Sequence, residues 1–530
     1  MYTPEMLESI KKVEATRAER LGMEPRRMTA DEKDALLHEF HPDYIESEFD
    51  TLKIGPNKGE KVPLELAAML QSHSRIKAGD VDLTKPDYDV DVLIIGGGGA
   101  GSAAAIMAEE NGANVMIVTK LRHGDANTMM AEGGIQAADK PGDSPAIHYL
   151  DALGGGHFKN IPELLEKLVT EGPGAVKWLN DLGVMFDKEP DGTMITTHGG
   201  GTSRKRMHAA KDYSGAEIMR VLRDEVQNRR IPVVDFTAAI ELILDKEGKA
   251  AGAVLMNMET HELLVAKAKT VIIATGGAGR MHYQGFPTSN HYGATADGLV
   301  LAYRAGARLL YQDTLQYHPT GVAFPSQIYG ALVTEKVRSM GAQFVNVNGE
   351  AFMHPLETRD VAASGVIREV ARGNGIHTPL RDGIWLDSPM IDAIHGEGTL
   401  EKRLPGMLRM YLRYDIDMRK VPIVIYPTLH YQNGGVRVSV NGMSDVENLY
   451  VAGEAAGGVH GRNRLMGNSL LDVIVFGRNA GQEAGKQFKN VTLSDLTLEH
   501  VDSFEKECEA AGIHTDEVSP KILPDYRRKK

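Results

Sequence analysis

Val90-Asp91-Val92-Leu93-Ile94-Ile95-Gly96-Gly97-Gly98-Gly99-Ala100-Gly101 decides the fold of this 530-residue chain. Val92, Leu93, Ile94 and Ile95 form a continuous apolar run, the pattern of a strand buried on both faces of a parallel sheet. Gly96, Gly98 and Gly101 follow with the spacing of a dinucleotide-binding turn. The first glycine makes the turn, the second opens the backbone to a pyrophosphate, and the third lets the next helix pack on the strand. Ala103, Ala104, Ala105 and Ala108 continue as that helix, and residues 113–118 read as a second parallel strand. The glycine spacing alone is a weak signal whose plain alternative is a glycine-rich turn; the strand before it and the helix and strand after it weigh against that alternative.

Moving outward, the acidic residue that would hold a ribose hydroxyl at the end of the second strand is missing, and Thr119 and Lys120 stand there. NAD is thereby disfavoured. Two further glycine clusters, Ala131-Glu132-Gly133-Gly134 and Ala274-Thr275-Gly276-Gly277, would each more often be a plain turn. Together with the first they suggest several backbone approaches to one extended cofactor, which suits FAD. Residues 270–274 read as another buried strand, and Leu449, Tyr450 and Val451 rejoin the sheet ahead of Gly453 and Glu454. The expected fold is α/β: a Rossmann-type FAD-binding domain made of residues 89–312 and 430–486, with an inserted α+β capping domain at 313–429. An N-terminal helical arm and linker (residues 1–88) carries a capping box at Thr29 and Glu32. A short C-terminal helical tail (residues 487–530) places Leu498, Val501, Phe504 and Cys508 at helical spacing, so Cys508 reads as a packed core thiol.

Composition narrows the function. A formal net charge of −13 argues against a nucleic-acid partner, which needs a basic face. A single cysteine excludes an intramolecular disulfide and a cysteine-ligated iron–sulfur cluster, and no metal ligand set stands out. No apolar run reaches the roughly 20 residues that span a bilayer, so direct membrane insertion is not expected. The first twenty residues interleave charges with apolar positions, and a cytoplasmic address is expected.

Taken in order, these segments resemble the flavoprotein subunit of succinate dehydrogenases and fumarate reductases. The motifs that carry the likeness are Gln316-Tyr317-His318-Pro319-Thr320-Gly321, Thr334-Glu335-Lys336-Val337-Arg338, Thr358-Arg359-Asp360, His430-Tyr431, His460-Gly461-Arg462-Asn463-Arg464 and Asn468-Ser469-Leu470-Leu471-Asp472. L-aspartate oxidase shares much of this outline. The resemblance implies an FAD site with Gly96, Gly98 and Gly101 at the pyrophosphate and Lys120 near the adenosine. It implies Thr128, Gly133 and Gly134 along the isoalloxazine approach, with Gly99, Thr119, Asn127, Ala238, Thr275, Gly276, Asp297, Tyr431, Glu454, Ser469 and Leu470 completing the site. Many family members carry a flavin-linked histidine where this sequence has Asn127, so non-covalent FAD is expected.

The resemblance also implies that His318, His430 and Arg464 clamp a dicarboxylate, fumarate or succinate, and that Arg359 supplies a proton through a relay with Glu335 and Arg338. As isolated residues these would more often be a satisfied core histidine, a surface arginine and a helix salt bridge. Clusters for electron supply would have to lie in an iron–sulfur or other electron-carrier subunit, which could also place the chain at a membrane periphery. Two departures stand out besides Asn127: the run Gln432-Asn433-Gly434-Gly435, and a loop between Glu454 and Arg464 one residue shorter than is typical. An L-aspartate oxidase-like enzyme and a non-catalytic flavin relay subunit remain the alternative readings.

Overall fold

The computed structural model describes residues 2–524. Its central sheet has eight strands. Seven run in the order Leu496–Thr497, Thr237–Asp245, Ala250–Asn257, Leu263–Ile273, Tyr88–Ile95, Val115–Val118 and Val233–Val234, and Leu449–Val451 pairs with the end of Leu263–Ile273. The strands Tyr88–Ile95, Val115–Val118, Leu263–Ile273 and Leu449–Val451 are parallel, with Ile95, Val118, Ile273 and Val451 lying abreast. The loops that follow them therefore open along one edge of the sheet, where doubly wound folds bind their ligands. Leu93 and Ile94 are fully buried, as the continuous apolar run requires.

Helix Gly99–Glu110 leaves the glycine turn and packs on helix Asn468–Gln487. The contact is a ladder of small residues: Ala100, Ala104 and Ala108 face Gly477, Gly481 and Gly485. A Cβ on Gly481 would sit 2.1 Å from the carbonyl oxygen of Ala104. The spacing of four on both helices is one ridge of a helix surface, and only glycine lets the axes come this close.

The inserted segment forms a four-stranded antiparallel sheet in the order Leu315–Val322, Ile423–Gln432, Ile384–Asp387 and Gln343–Val345. Helix Arg359–Glu369 lies against its first strand. The chain enters the insert along Leu315–Val322 and leaves along Ile423–Gln432, so the paired strands at its base carry both His318 and His430.

The N-terminal segment packs on both parts. Helix Pro4–Leu21, capped by the Thr3 hydroxyl, sends Arg17 and Arg20 onto the buried carboxylate of Asp387, each at 2.8 Å. Helix Ala30–Phe40 starts in the Thr29–Glu32 capping box and lies on helix Arg359–Glu369. Farther on, Asn57 exchanges two hydrogen bonds with the Leu309 backbone, and the Tyr303 hydroxyl donates to the Ile54 carbonyl. Helix Glu499–Ala510 buries Val501, Phe504 and Cys508, and burial pushes the Cys508 thiol up to about 11. Among the described residues no helix is long and apolar enough to cross a membrane.

Candidate active site

A cleft with about 1330 Å³ of open space, part of it continuous with solvent, runs along the carboxyl edge of the central sheet. At one end lie the glycine turn and the ends of the first two parallel strands; at the other lie His430, Tyr431 and Arg464. Backbone forms much of its wall. Gly276 has φ +75° and open space where a Cβ would point, so the chain presents bare peptide to the cleft there. Gly98 caps the N-terminus of helix Gly99–Glu110, whose free N–H groups favour a phosphate.

Most of the expected cofactor residues line this cleft: Gly96, Gly98, Gly99, Thr119, Lys120, Asn127, Thr128, Ala238, Thr275, Gly276, Asp297, Tyr431, Glu454, Ser469 and Leu470. Gly101, Gly133 and Gly134 do not. A Cβ on Gly101 would lie 1.9 Å from the Gly96 carbonyl oxygen, so this glycine serves the packing of turn on helix. Gly133 sits against Met466, and Gly134, at φ +122°, sits against the His208 carbonyl. Asn127 is fully engaged by protein: its Nδ2 donates to Asn290 Oδ1 at 2.7 Å, and its Oδ1 accepts from the His291 N–H at 2.5 Å. Burial raises the Glu454 carboxyl above its ordinary value; it accepts from the Gln432 N–H at 3.0 Å.

Behind the Arg464 end is a buried polar cluster assembled from five distant segments. Arg359 begins the helix Arg359–Glu369 and donates through Nε to Glu335 Oε2 at 2.9 Å and through Nη1 to Gln316 Oε1 at 2.9 Å. Glu335 also accepts from the Gly200 N–H at 2.5 Å and pairs with Arg338 at 3.2 Å. Burial alone would raise the Glu335 carboxyl, but Arg359 and Arg338 outweigh it and hold it below the usual range. Arg338 is pushed down to about 10 by burial, and Arg464 to about 9 by burial and then by Arg359. Gln316 donates to the Arg464 carbonyl at 2.7 Å and so ties Arg359 to the loop that carries Arg464.

The two histidines meet edge to face, ring centroids 5.0 Å apart. The Thr320 N–H donates to His318 Nδ1 at 3.3 Å, which assigns the proton of the neutral ring to Nε2. That Nε2 is buried with no hydrogen-bond partner among the described residues, and so are Nε and Nη2 of Arg464, whose guanidinium lies 4.3 Å over the Tyr431 ring. Ser289 holds His430 Nδ1 at 2.7 Å. Burial, and then the neighbouring arginines, keep both imidazoles neutral far below their ordinary range.

Arg338 and Arg359 share the carboxylate of Glu335, and Glu454 acts on Arg464 ahead of Glu335, while the nearby Asp360 and Asp472 are bonded to His157 and to His460 and Tyr431. Unpaired buried charge is costly, and a carboxylate placed beside such free donors would meet them with charge-assisted hydrogen bonds. Two members of the cluster are absent from the expected site residues: Gln316, which stands in its motif without a role, and Gly200, whose only signal is the run Gly199-Gly200-Gly201. A Cβ at Gly200 would lie 2.7 Å from Glu335 Oε1.

Residues 91–470 match the model of a family described as FAD binding domain. The chain is 38% identical over 409 residues to a component of the fumarate reductase (CoM/CoB) of Methanothermobacter marburgensis, covering 75% of this chain and 73% of that protein. It is 34% identical to the succinate dehydrogenase flavoprotein of Coxiella burnetii, covering 74% and 70%, and 37% identical to L-aspartate oxidase of Streptomyces coelicolor, covering 73% and 67%. Among solved structures, the quinol fumarate reductase flavoprotein of E. coli superposes with a TM-score of 0.72 at 30% identity, covering 80% of this chain and 74% of that one.

Proposed function

Because the chain belongs to the FAD-binding family that includes the flavoprotein subunits of fumarate reductases and succinate dehydrogenases, we propose that it interconverts fumarate and succinate as one subunit of a redox complex. The free donors beside the cleft carry this reading: Nε and Nη2 of Arg464 and Nε2 of His318 are buried with no hydrogen-bond partner among the described residues, and a substrate carboxylate supplies the acceptor they lack. FAD lying along the cleft would supply a hydride donor or acceptor at the Arg464 end. Arg464, with two free guanidinium donors, and the neutral His318 and His430 hold the carboxylates, and burial of all three excludes water. Polarising one carboxylate draws charge away from the alkene, so hydride added at one carbon leaves the other needing a proton. Arg359 gives that proton, and Glu335 with Arg338 restores it, since a guanidinium left neutral in this site would lose its pairing with Glu335.

The engaged amide of Asn127 supports FAD held without a covalent bond. His123, an imidazole four residues before Asn127, is buried, bonded to Ser102 at 3.0 Å and outside the cleft. An iron–sulfur or similar electron-carrier subunit is the expected partner, since one cysteine cannot ligate a cluster, and any approach to a membrane would be through such partners.

The relative that is an L-aspartate oxidase supports a second reading in which the amino dicarboxylate is oxidised. Titrating fumarate, succinate, L-aspartate and a monocarboxylate against the flavin absorbance separates the two. Losing one charge-assisted clamp costs about 1.5–3 kcal/mol, so the monocarboxylate should bind roughly 10- to 150-fold more weakly than fumarate. Equal affinity for both would refute the clamp.

A further inference from the structure

Lys120 and Asp297 are the charged pair at the end of the cleft that the second parallel strand faces, where a dinucleotide places its adenosine. Each is also bonded from outside by one residue of the C-terminal segment. Lys120 Nζ donates to Asp297 Oδ2 at 2.5 Å, to Thr295 Oγ1 at 2.7 Å and to the Ile522 carbonyl at 2.6 Å, which uses all three ammonium donors. The Ile522 N–H donates back to Asp297 Oδ1 at 3.2 Å. Ile522 sits outside the stretch that matches the family model and does not itself line the cleft.

This segment is anchored. Val518–Ser519 pairs in parallel with His73–Ser74. Ser519 Oγ accepts from Arg304 Nη2 at 2.7 Å, and Arg304 is itself locked at 2.5 Å to the buried Glu241. Arg75 Nε donates to the Pro520 carbonyl at 2.5 Å, and the Ile522 side chain is buried with Ile76, Ile240 and Leu498. At the point of contact Ile522 has φ +69°. A β-branched residue in the left-handed region is a steric outlier, and such strain persists only where the surroundings fix it, commonly beside a ligand.

We propose that residues 518–524 form an outer brace on the adenosine end of the cofactor cleft, fixing Lys120 and Asp297 through the Ile522 main chain and so setting how long FAD stays bound. The proposal rests on the assignment of this cleft to FAD. Ile522 is a positioning residue here: it acts through Lys120 and Asp297.

Ile522→Pro in the full chain removes the N–H and forbids the positive φ, releasing the brace at one residue. Arg75→Met releases it more gently from outside. FAD dissociation, followed by the rise in free-flavin fluorescence, should quicken at least tenfold in Ile522→Pro and at least twofold in Arg75→Met, with the far-UV circular dichroism unchanged. In a Lys120→Met background, Ile522→Pro should add less than twofold. Release at the wild-type rate in both single variants overturns the brace. Equal acceleration with and without Lys120 overturns it too, because the segment would then act through general stability. A full-length wild-type chain that binds no FAD would instead remove the assignment of the cleft on which the brace depends.

Discussion

Replacing Arg359 by alanine should abolish turnover while leaving FAD in place. The guanidinium is buried and makes two 2.9 Å bonds, to Glu335 and Gln316, yet it does not line the cleft, so no cofactor contact goes with it. Glu335 keeps the Gly200 N–H and Arg338, so the variant does not strand an unpaired carboxylate and should still fold. A positioned proton donor contributes about 10²–10⁴ in rate, equivalent to roughly 2.7–5.4 kcal/mol of barrier. Dye-linked fumarate reduction should fall by that factor, with the flavin-to-protein ratio unchanged in the absorbance spectrum. Arg359→Lys keeps a cation but loses the fork that reaches both partners, and it should recover little. Arg359→Ala retaining a tenth of the wild-type rate, a loss of only about 1.4 kcal/mol, would refute the assignment.

Acid precipitation of the flavin-loaded chain should leave the yellow colour in the supernatant; colour remaining with the denatured band would show a covalent bond that Asn127 cannot provide. A homogeneous preparation of this chain alone should contain flavin, and stoichiometric iron found with it would contradict the need for an electron-carrier partner. Gly481→Val forces a side chain into a gap where even a Cβ would be 2.1 Å from the Ala104 carbonyl oxygen, so it should cost at least the roughly 1–3 kcal/mol of ordinary overpacking; an unchanged melting temperature would discount the helix contact. The His157–Asp360 pair, 2.7 Å apart, gives a pH signature. Burial opposes ionisation of Asp360, but the His157 bond outweighs it and holds the carboxyl near 2, while the same bond raises His157. The Asp360 share is lost as pH falls from about 4 toward 2, and the His157 share is lost as pH rises above its unfolded value of about 6.5. His157→Gln should therefore destabilise more at pH 5.5 than at pH 9; an equal loss at both would contradict the pairing.

Local patterns carry the sheet and the cofactor turn. The apolar run at Val92, Leu93, Ile94 and Ile95 and the glycines after it state a buried parallel strand and a tight turn into a helix within a dozen residues, and the structure has both. The polar cluster is legible only as motifs in a familiar order, because Gly200, Gln316, Glu335, Arg359 and Arg464 meet across the fold and no spacing predicts their contact. The glycine run at Gly200 and the motif around Gln316 therefore state no role for either residue. Segment 50–89 shows no chemical signal, yet Asn57 and Ile54 reach Leu309 and Tyr303 some 250 positions away, 252 for Asn57–Leu309. Ile522, an ordinary aliphatic residue, acts through main-chain groups that any sequence would have offered.

The most direct test is to purify the chain with whatever copurifies and measure dye-linked fumarate reduction, succinate oxidation and L-aspartate oxidation on the same sample. Turnover of the fumarate–succinate pair, abolished in Arg464→Met with FAD still bound, is the expected result. Oxidation of L-aspartate without activity on either fumarate or succinate, or FAD-loaded protein inert toward all three, would contradict the account.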